Sequence, residues 1–375
     1  MNRRNTLRAC ACAFALMLTG ALHAQTIVTA PGVTVRPLLP AGLQNPRGLQ
    51  FNPYDGLGMS LLVAEGGPGG TGSTIGRCTQ VMPPIGPYTG APTGGRVTQV
   101  YFGGVDFTRP QRHIITSNLP TSQTSVESGS LVSGVADVAT IDGTLYALVG
   151  GGGCSHGLVA RDNAIVRVSP TGTVSLVANL SRWLRANPGR VLGPDFEPDG
   201  TWYSMVAFNG ALYAIEPNHG LFVRVNPTTG AITRVLDVSA ALGTHAVPTA
   251  LARHKGYFYI ANLGTFPIVD GTQRVWRVLS NPTRLQSVAR GTAIVGLAFD
   301  PVNDNMYVLQ LTSGAPGPTP GMGSLLRIRP GKAPQTVVSG LTLPTGIDVS
   351  PSGTAYISYG FAGAPSGILQ VFGLR

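Results

Sequence analysis

The sequence predicts an all-β fold, a six-bladed β-propeller whose last blade is closed by the N-terminal strand. Three observations predict it. A hairpin pattern recurs six times from Asn45 onward, further strands follow each hairpin, and the sixth unit lacks a fourth strand that the N-terminal segment can supply.

The clearest copy is Gly340 to Gly360: a Pro-Thr-Gly opening, a short apolar run Ile347 to Val349, a Ser350-Pro351-Ser352-Gly353 turn, then Ala355 to Tyr359. Pro fixes φ and Gly admits positive φ, so both mark reversals, while Val, Ile and Tyr suit pleated strands. Aligning second strands on one residue gives Leu62, Tyr146, Tyr213, Tyr259, Tyr307 and Tyr356. The spacing of the later copies fits a four-stranded blade of roughly 40 to 50 residues.

First strands read Gly48 to Phe51, Gly134 to Val138, Ser204 to Phe208, Ala250 to Ala252, Gly296 to Phe299 and Gly346 to Val349. Third strands are Val97 to Phe102, Ala164 to Ser169, Leu221 to Asn226, Val275 to Leu279, Leu325 to Arg329 and Ile368 to Leu374. Fourth strands are His113 to Leu119, Val174 to Leu180, Ile232 to Val238, Arg284 to Arg290 and Thr336 to Leu341. Val33 to Leu43 precedes Asn45-Pro46-Arg47-Gly48 as Thr336 to Leu341 precedes Leu343-Pro344-Thr345-Gly346, so it supplies the missing strand. Such closure removes an exposed sheet edge. A short helix over Ser181 to Ala186, ended by Asn187-Pro188, interrupts the pattern.

Composition agrees. With Gly 51, Pro 30, 43% hydrophobic and 11% charged residues in a 375-residue chain, disorder is excluded and a turn-rich all-β domain favoured. Residues 25–375 form one domain, because a propeller is a single closed unit.

Met1 to Ala24 reads as a secretory leader, with Arg3, Arg4 and Arg8 before the apolar Ala9 to Gly20 and cleavage after Ala21 or Ala24. No run reaches the roughly 18 apolar residues of a membrane span. The mature chain is therefore expected in the periplasm or outside the cell, as a monomer. Without the leader's arginines 23 basic and 16 acidic residues remain, scattered and nearly all Arg. A basic stripe with interleaved aromatics is missing, which excludes nucleic acid as a partner.

Strand order sends second-to-third loops and blade connections to one face and tight turns such as Ser350 to Gly353 to the other. The long loops are Gly66 to Gly95, Gly150 to Asn163, Pro217 to Gly220, Gly264 to Thr272, Thr312 to Gly323 and Phe361 to Ser366. Long loops on one end of a rigid scaffold are where binding resides. Cys78 and Cys154 lie in the first two of these loops and are the only cysteines after the leader, so a disulfide is expected.

Three constellations could carry chemistry. Gly150 to Gly153 before Cys154-Ser155-His156 suggests a phosphate loop or a Cys-His pair, but a strand follows where a helix would be needed, and the cysteine is committed. Glu216-Pro217-Asn218-His219, like Glu65, ends a second strand on the loop face, and Glu with His can serve as acid, base or ligand or can simply bond the loop. Asp195-Phe196-Glu197-Pro198-Asp199 has spaced carboxylates but lacks the length, Gly and closing Glu of an EF-hand loop.

Asn45-Pro46-Arg47-Gly48-Leu49 with Val63 to Gly67, Val247-Pro248-Thr249, Leu263 to Pro267 before Val275 to Val278, and Leu343 to Ile347 give the chain a resemblance to the ScyD/ScyE family, exported propellers with NHL-type repeats. The resemblance implies an exported propeller with no catalytic residue to carry over. Where that family has an Asp-Ala-Gly-Asn-like turn, this chain has Glu216 to His219.

The expected function is a non-catalytic binding or scaffold propeller for a protein or glycan partner, with Arg47, Glu65, Glu216 and His219 as candidate ligand-binding residues and no metal or other cofactor. The alternative is a hydrolase or lyase similar to gluconolactonase-type or streptogramin-lyase-type propellers, with a divalent metal such as calcium in the channel. Lactonases of that kind place a Glu where this chain has Pro46-Arg47.

Overall fold

The structure is a computed structural model that describes residues 26–52, 58–103, 109–281, 283–361 and 363–375. The leader expected over Met1 to Ala24 lies outside these residues. Six antiparallel sheets form the ring. Blade 1 comprises Pro46–Asn52, Met59–Glu65, Thr89–Phe102 and Gln111–Gln123, with Val132–Ser133 added at its outer edge. Blade 2 is Val135–Ile141, Thr144–Val149, Ala164–Val168 and Val174–Asn179. Blade 3 is Ser204–Phe208, Ala211–Glu216, Leu221–Val225 and Ile232–Asp237.

Blade 4 is Pro248–His254, Tyr257–Asn262, Gln273–Leu279 and Arg284–Gly291. Blade 5 is Ile294–Phe299, Met306–Gln310, Gly323–Ile328 and Gln335–Leu341. Blade 6 is Pro344–Val349, Ala355–Tyr359 and Gly367–Phe372, and its fourth strand is Thr34–Leu39, in register Val35 with Val371 and Arg36 with Gln370. The predicted closure is therefore present. One pairing was not foreseen: Val28–Thr29 lies on the outer strand of blade 5, Val28 opposite Ser339.

Buried apolar residues fall into six clusters, one in each gap between neighbouring blades. The cause is the period of two: in Ala211–Glu216, Leu212 and Ala214 face blade 2 while Tyr213 and Ile215 face blade 4. Both faces of a blade are covered, so its inner strands read as continuous apolar runs. The residue aligned at the second strand always packs toward the following blade. Tyr356 stacks on Phe51 at 5.5 Å, Tyr213 meets Phe258 at 4.4 Å, and Tyr259 meets Phe299 at 4.7 Å. Tyr307 donates from its hydroxyl to Leu374 O at 3.1 Å.

The helix expected near Ser181 spans Leu180–Ala186, with Asn179 accepting from Arg182 N at 2.8 Å as its N-cap and Asn187 at its C-cap. A second, Val238–Leu242, begins where the fourth strand of blade 3 was expected to end, because Asp237 Oδ1 caps it by accepting from Ala240 N at 2.9 Å. The third and fourth strands of blade 1 are also longer than expected, running back to Thr89 and on to Gln123 across bulges. Cys78 and Cys154 form the expected disulfide, with Cα atoms 6.3 Å apart.

First strands line the axis and are laced to one another by polar side chains. Asp137 of blade 2 accepts from Met205 N at 2.8 Å and the Ser204 hydroxyl at 3.1 Å in blade 3. The equivalent Asp348 of blade 6 accepts from Phe51 N of blade 1 at 2.7 Å. Gly48 makes room for this lacing, since a Cβ there would lie 2.0 Å from Asp137 Oδ1.

Candidate functional site

On the long-loop face the four candidate residues divide into a committed group and one that meets no carboxylate among the described residues. Glu65 ends the second strand of blade 1, fully buried, and accepts from Gln44 N at 2.5 Å and from the Thr98 hydroxyl. It fastens the incoming N-terminal segment to blade 1.

Glu216 holds the corresponding place in blade 3. Its Oε1 accepts from Thr201 N at 3.0 Å and Asn218 N at 3.1 Å, and its Oε2 from His219 N at 2.6 Å. Burial raises the carboxyl above its usual range against the lowering effect of His219 and these backbone donors. The His219 ring is spent too: Nε2 donates to Glu197 O at 2.9 Å and Nδ1 accepts from Gly189 N at 3.3 Å. Glu216 and His219 are thus brought together, but with every polar atom used.

Beside them lies a network that the sequence disclosed only in fragments. Glu197 accepts from the Tyr88 hydroxyl at 2.5 Å and from Thr201, and its Oε2 lies 3.4 Å from His156 Nε2. His156 Nδ1 accepts from the Ser122 hydroxyl at 2.8 Å, and Nε2 donates to Gly200 O at 3.1 Å. Tyr88 is pushed well above its ordinary value by burial first and then by the Glu197 carboxylate.

Ser122, His156 and Glu197 form a serine–histidine–carboxylate string, yet Ser122 and His156 are fully buried and Glu197 is 3% exposed. No substrate reaches Ser122 in such a setting. The string joins blades 1, 2 and 3 beneath the disulfide, aided by Asp199, which accepts from Ser155 N and Oγ at 2.8 Å and pairs with Arg185. Local patterning showed Glu197 in a carboxylate run and His156 after the glycines. Only the fold brings them together.

Arg47 is the candidate without a carboxylate partner among the described residues. It sits at the loop-face end of the first strand of blade 1, where the axis opens. Its guanidinium donates to Val132 O and lies 5.2 Å from the centre of the Phe361 ring in blade 6. Burial lowers its pKa, opposed by the Tyr203 phenol of blade 3, and burial likewise raises Tyr203. Among the described residues no carboxylate pairs with Arg47. A desolvated cation held by one carbonyl and an aromatic face suits an anion or a strongly polarised carbonyl. A pocket of about 210 Å³ opens alongside, between blades 6 and 1, lined by Gln44, Asn45, Gly67, Gly360 and Ser366 among others. The Gln44 Oε1 has no hydrogen-bond partner.

No protein-family model matches the chain, and no curated protein matches it. Solved structures do. A putative glucose dehydrogenase from Thermus thermophilus is similar over 91% of this chain and 100% of its own, at 16% identity and a TM-score of 0.55. The PQQ-bound aldose sugar dehydrogenase of Streptomyces coelicolor is similar over 92% and 99%, at 14% identity and a TM-score of 0.51. A putative gluconolactonase is similar over 92% and 93%, at 13% identity and a TM-score of 0.50. At such identities the likeness carries the fold, and the fold is that of a six-bladed β-propeller.

Proposed function

We propose that the protein is an exported small-molecule propeller of the sugar- and lactone-directed type, whose channel mouth takes a hydroxyl-rich anion, a sugar acid or the lactone that opens to one. The observation that carries this reading is Arg47, a largely desolvated cation without a carboxylate at the mouth of the axis, backed by Phe361 and faced by Tyr203. A guanidinium there would bind a carboxylate or polarise a lactone carbonyl, while the Gln44 amide beside the adjoining pocket would meet hydroxyls. The sugar-related names of the structural neighbours support the class over a pure scaffold. The disulfide supports export into an oxidising compartment, and among the described residues no helix is long and apolar enough to cross a membrane.

The lactonase-like version of this reading implies a divalent ion in the channel, and the residues do not fit one there. Asp137 and Asp348 both spend their oxygens on backbone N–H groups, and Arg47 brings a positive charge to the place such an ion would hold. The chemistry proposed for this mouth is accordingly that of Arg47, without a metal.

A second reading, a docking propeller of the ScyD/ScyE type with a protein or glycan partner, draws on the exposed Ile75, Met82, Val126 and Val159 of the loops on the same face. Calorimetry with gluconate, with galactonate and with neutral glucose separates the two, with lactone hydrolysis followed by acid release. Sugar-acid binding that weakens at least about tenfold in Arg47→Gln is expected, from the loss of a charge-assisted pair. Acids that bind no better than glucose, or bind Arg47→Gln as well as the native chain, would leave the docking reading in place.

A further inference from the structure

At its loop-face end the first strand of each blade carries an extra residue. The register slips there between Pro46 and Leu49, Val135 and Asp137, Pro248 and Ala250, Ile294 and Gly296, and Pro344 and Gly346. In blade 3, Tyr203 N donates to Ile215 O at 3.2 Å although Ser204 is already the partner of Ile215. Bulges of this kind re-aim a side chain at the rim of a closed sheet. The residues so aimed are Arg47, Ala136, Tyr203, Thr249, Val295 and Thr345, at one level around the axis.

Two of these are apolar, and three of the polar ones reach round to the chain that enters the next blade. Thr345 Oγ1 donates to Pro46 O at 2.7 Å, Thr249 Oγ1 to Ile294 O at 2.6 Å, and Arg47 to Val132 O. Tyr203 departs from the pattern. Its side chain is half-buried, and its hydroxyl has no hydrogen-bond partner among the described residues. The ring packs instead on the apolar cluster of blades 5 and 6 that contains Phe361 and Val295, as do Leu131 and Leu263. Burial raises this phenol, and the charge of Arg47 in blade 1 opposes the rise. A side chain of blade 3 that meets the far blades and also senses blade 1 lies over the axis. One cation and one neutral hydroxyl therefore converge on a mouth whose other walls are apolar.

We propose that Tyr203 is a specificity-determining residue of the channel mouth, its hydroxyl donating to one oxygen of the carboxylate whose other oxygen Arg47 holds. The inference rests on the sugar-acid function proposed above and gives that site its second ligand-binding group. A guanidinium has N–H donors to spare beyond the one spent on Val132 O, and a carboxylate accepts at both oxygens. A single fixed charge beside a neutral donor matches a singly charged carboxylate and leaves a phosphate dianion under-neutralised. Leu131, Leu263 and Phe361 lower the local polarity, which strengthens both contacts.

The purified protein is titrated with gluconate by calorimetry, as the native chain, Tyr203→Phe, Arg47→Gln and the double variant, with a melt of each. Tyr203→Phe should keep the native melting temperature and lose at least about fivefold in gluconate affinity, and the double variant should lose less than the two single losses combined. The alkaline titration of this phenol, read as native minus Tyr203→Phe and as Arg47→Gln minus the double variant, should move upward when Arg47 is removed. Gluconate binding lost in Arg47→Gln but intact in Tyr203→Phe overturns this proposal and leaves the sugar-acid function standing. A phenol titration that Arg47→Gln does not move, or glucose 6-phosphate bound as tightly as gluconate, overturns it too. Gluconate bound equally by all four proteins, or by none, removes the sugar-acid function and this proposal together.

Discussion

Asp137 Oδ2 accepts the backbone N–H of Met205 at 2.8 Å, so that a buried carboxyl of one blade terminates the first strand of the next. Burial lifts this carboxyl to about 7, and the equivalent Asp348 to about 6. In the unfolded chain both titrate near 4. A raised folded value means that the protonated form is the better guest of the fold. The stabilisation from the pair is therefore fully present below about pH 4 and is lost as the pH rises through 6 and 7. The unfolding free energy should fall between pH 5 and pH 7.5, by on the order of 2.5 kcal/mol for Asp137 and about 1.4 kcal/mol for Asp348. Asp137→Asn should flatten that fall, and an unchanged slope would count against the assignment.

Removing Glu216 strands three backbone donors, the buried ones of Asn218 and His219 and the half-buried one of Thr201. Glu216→Ala should cost about 4 kcal/mol. Urea titration of the variant measures it, and a loss below about 1 kcal/mol would mean that water replaces the carboxylate without penalty.

Arg47 behaves differently if it is a ligand anchor rather than a structural pin. Replacing a half-buried cation that has no carboxylate partner among the described residues by an apolar chain of similar length relieves desolvation. Arg47→Met should therefore melt at or above the native temperature while losing sugar-acid binding, the usual trade between stability and function. Clear destabilisation would assign Arg47 to the scaffold.

The disulfide between Cys78 and Cys154 predicts that the unreduced, denatured mature chain carries no reactive thiol. Cys78→Ser with Cys154→Ser should lose about 4 kcal/mol in the chain-entropy account of a loop of this length. Two thiols labelled without reductant would show that the bond does not form in the isolated protein.

The ring was legible because each blade buries both faces. Its strands then become apolar runs between Gly and Pro turns, and the aligned Tyr213, Tyr259, Tyr307 and Tyr356 stand at the same place in each interblade gap. Val28–Thr29 escaped notice since two residues carry no period, and Val238–Leu242 since its cap, Asp237, closes a strand that runs straight into it. Glu216 and His219 could be read as neighbours because a single turn joins them. Glu197, His156 and Ser122 could not, because they come from three separate stretches of the chain, Ser122 from the outer strand of blade 1, and neither charge nor spacing marks their meeting.

The pairing of Thr34–Leu39 with Gly367–Phe372 sets an order in time. Thr34–Leu39 leaves a ribosome among the earliest strands of the domain, yet finds its partner only when the last strand has followed. Until then its edge stays open while five blades assemble, and a second polypeptide at the same stage offers the same missing strand. Nascent chains crowded together would exchange these strands, so that the choice between one closed ring and two interlocked copies depends on how densely they emerge.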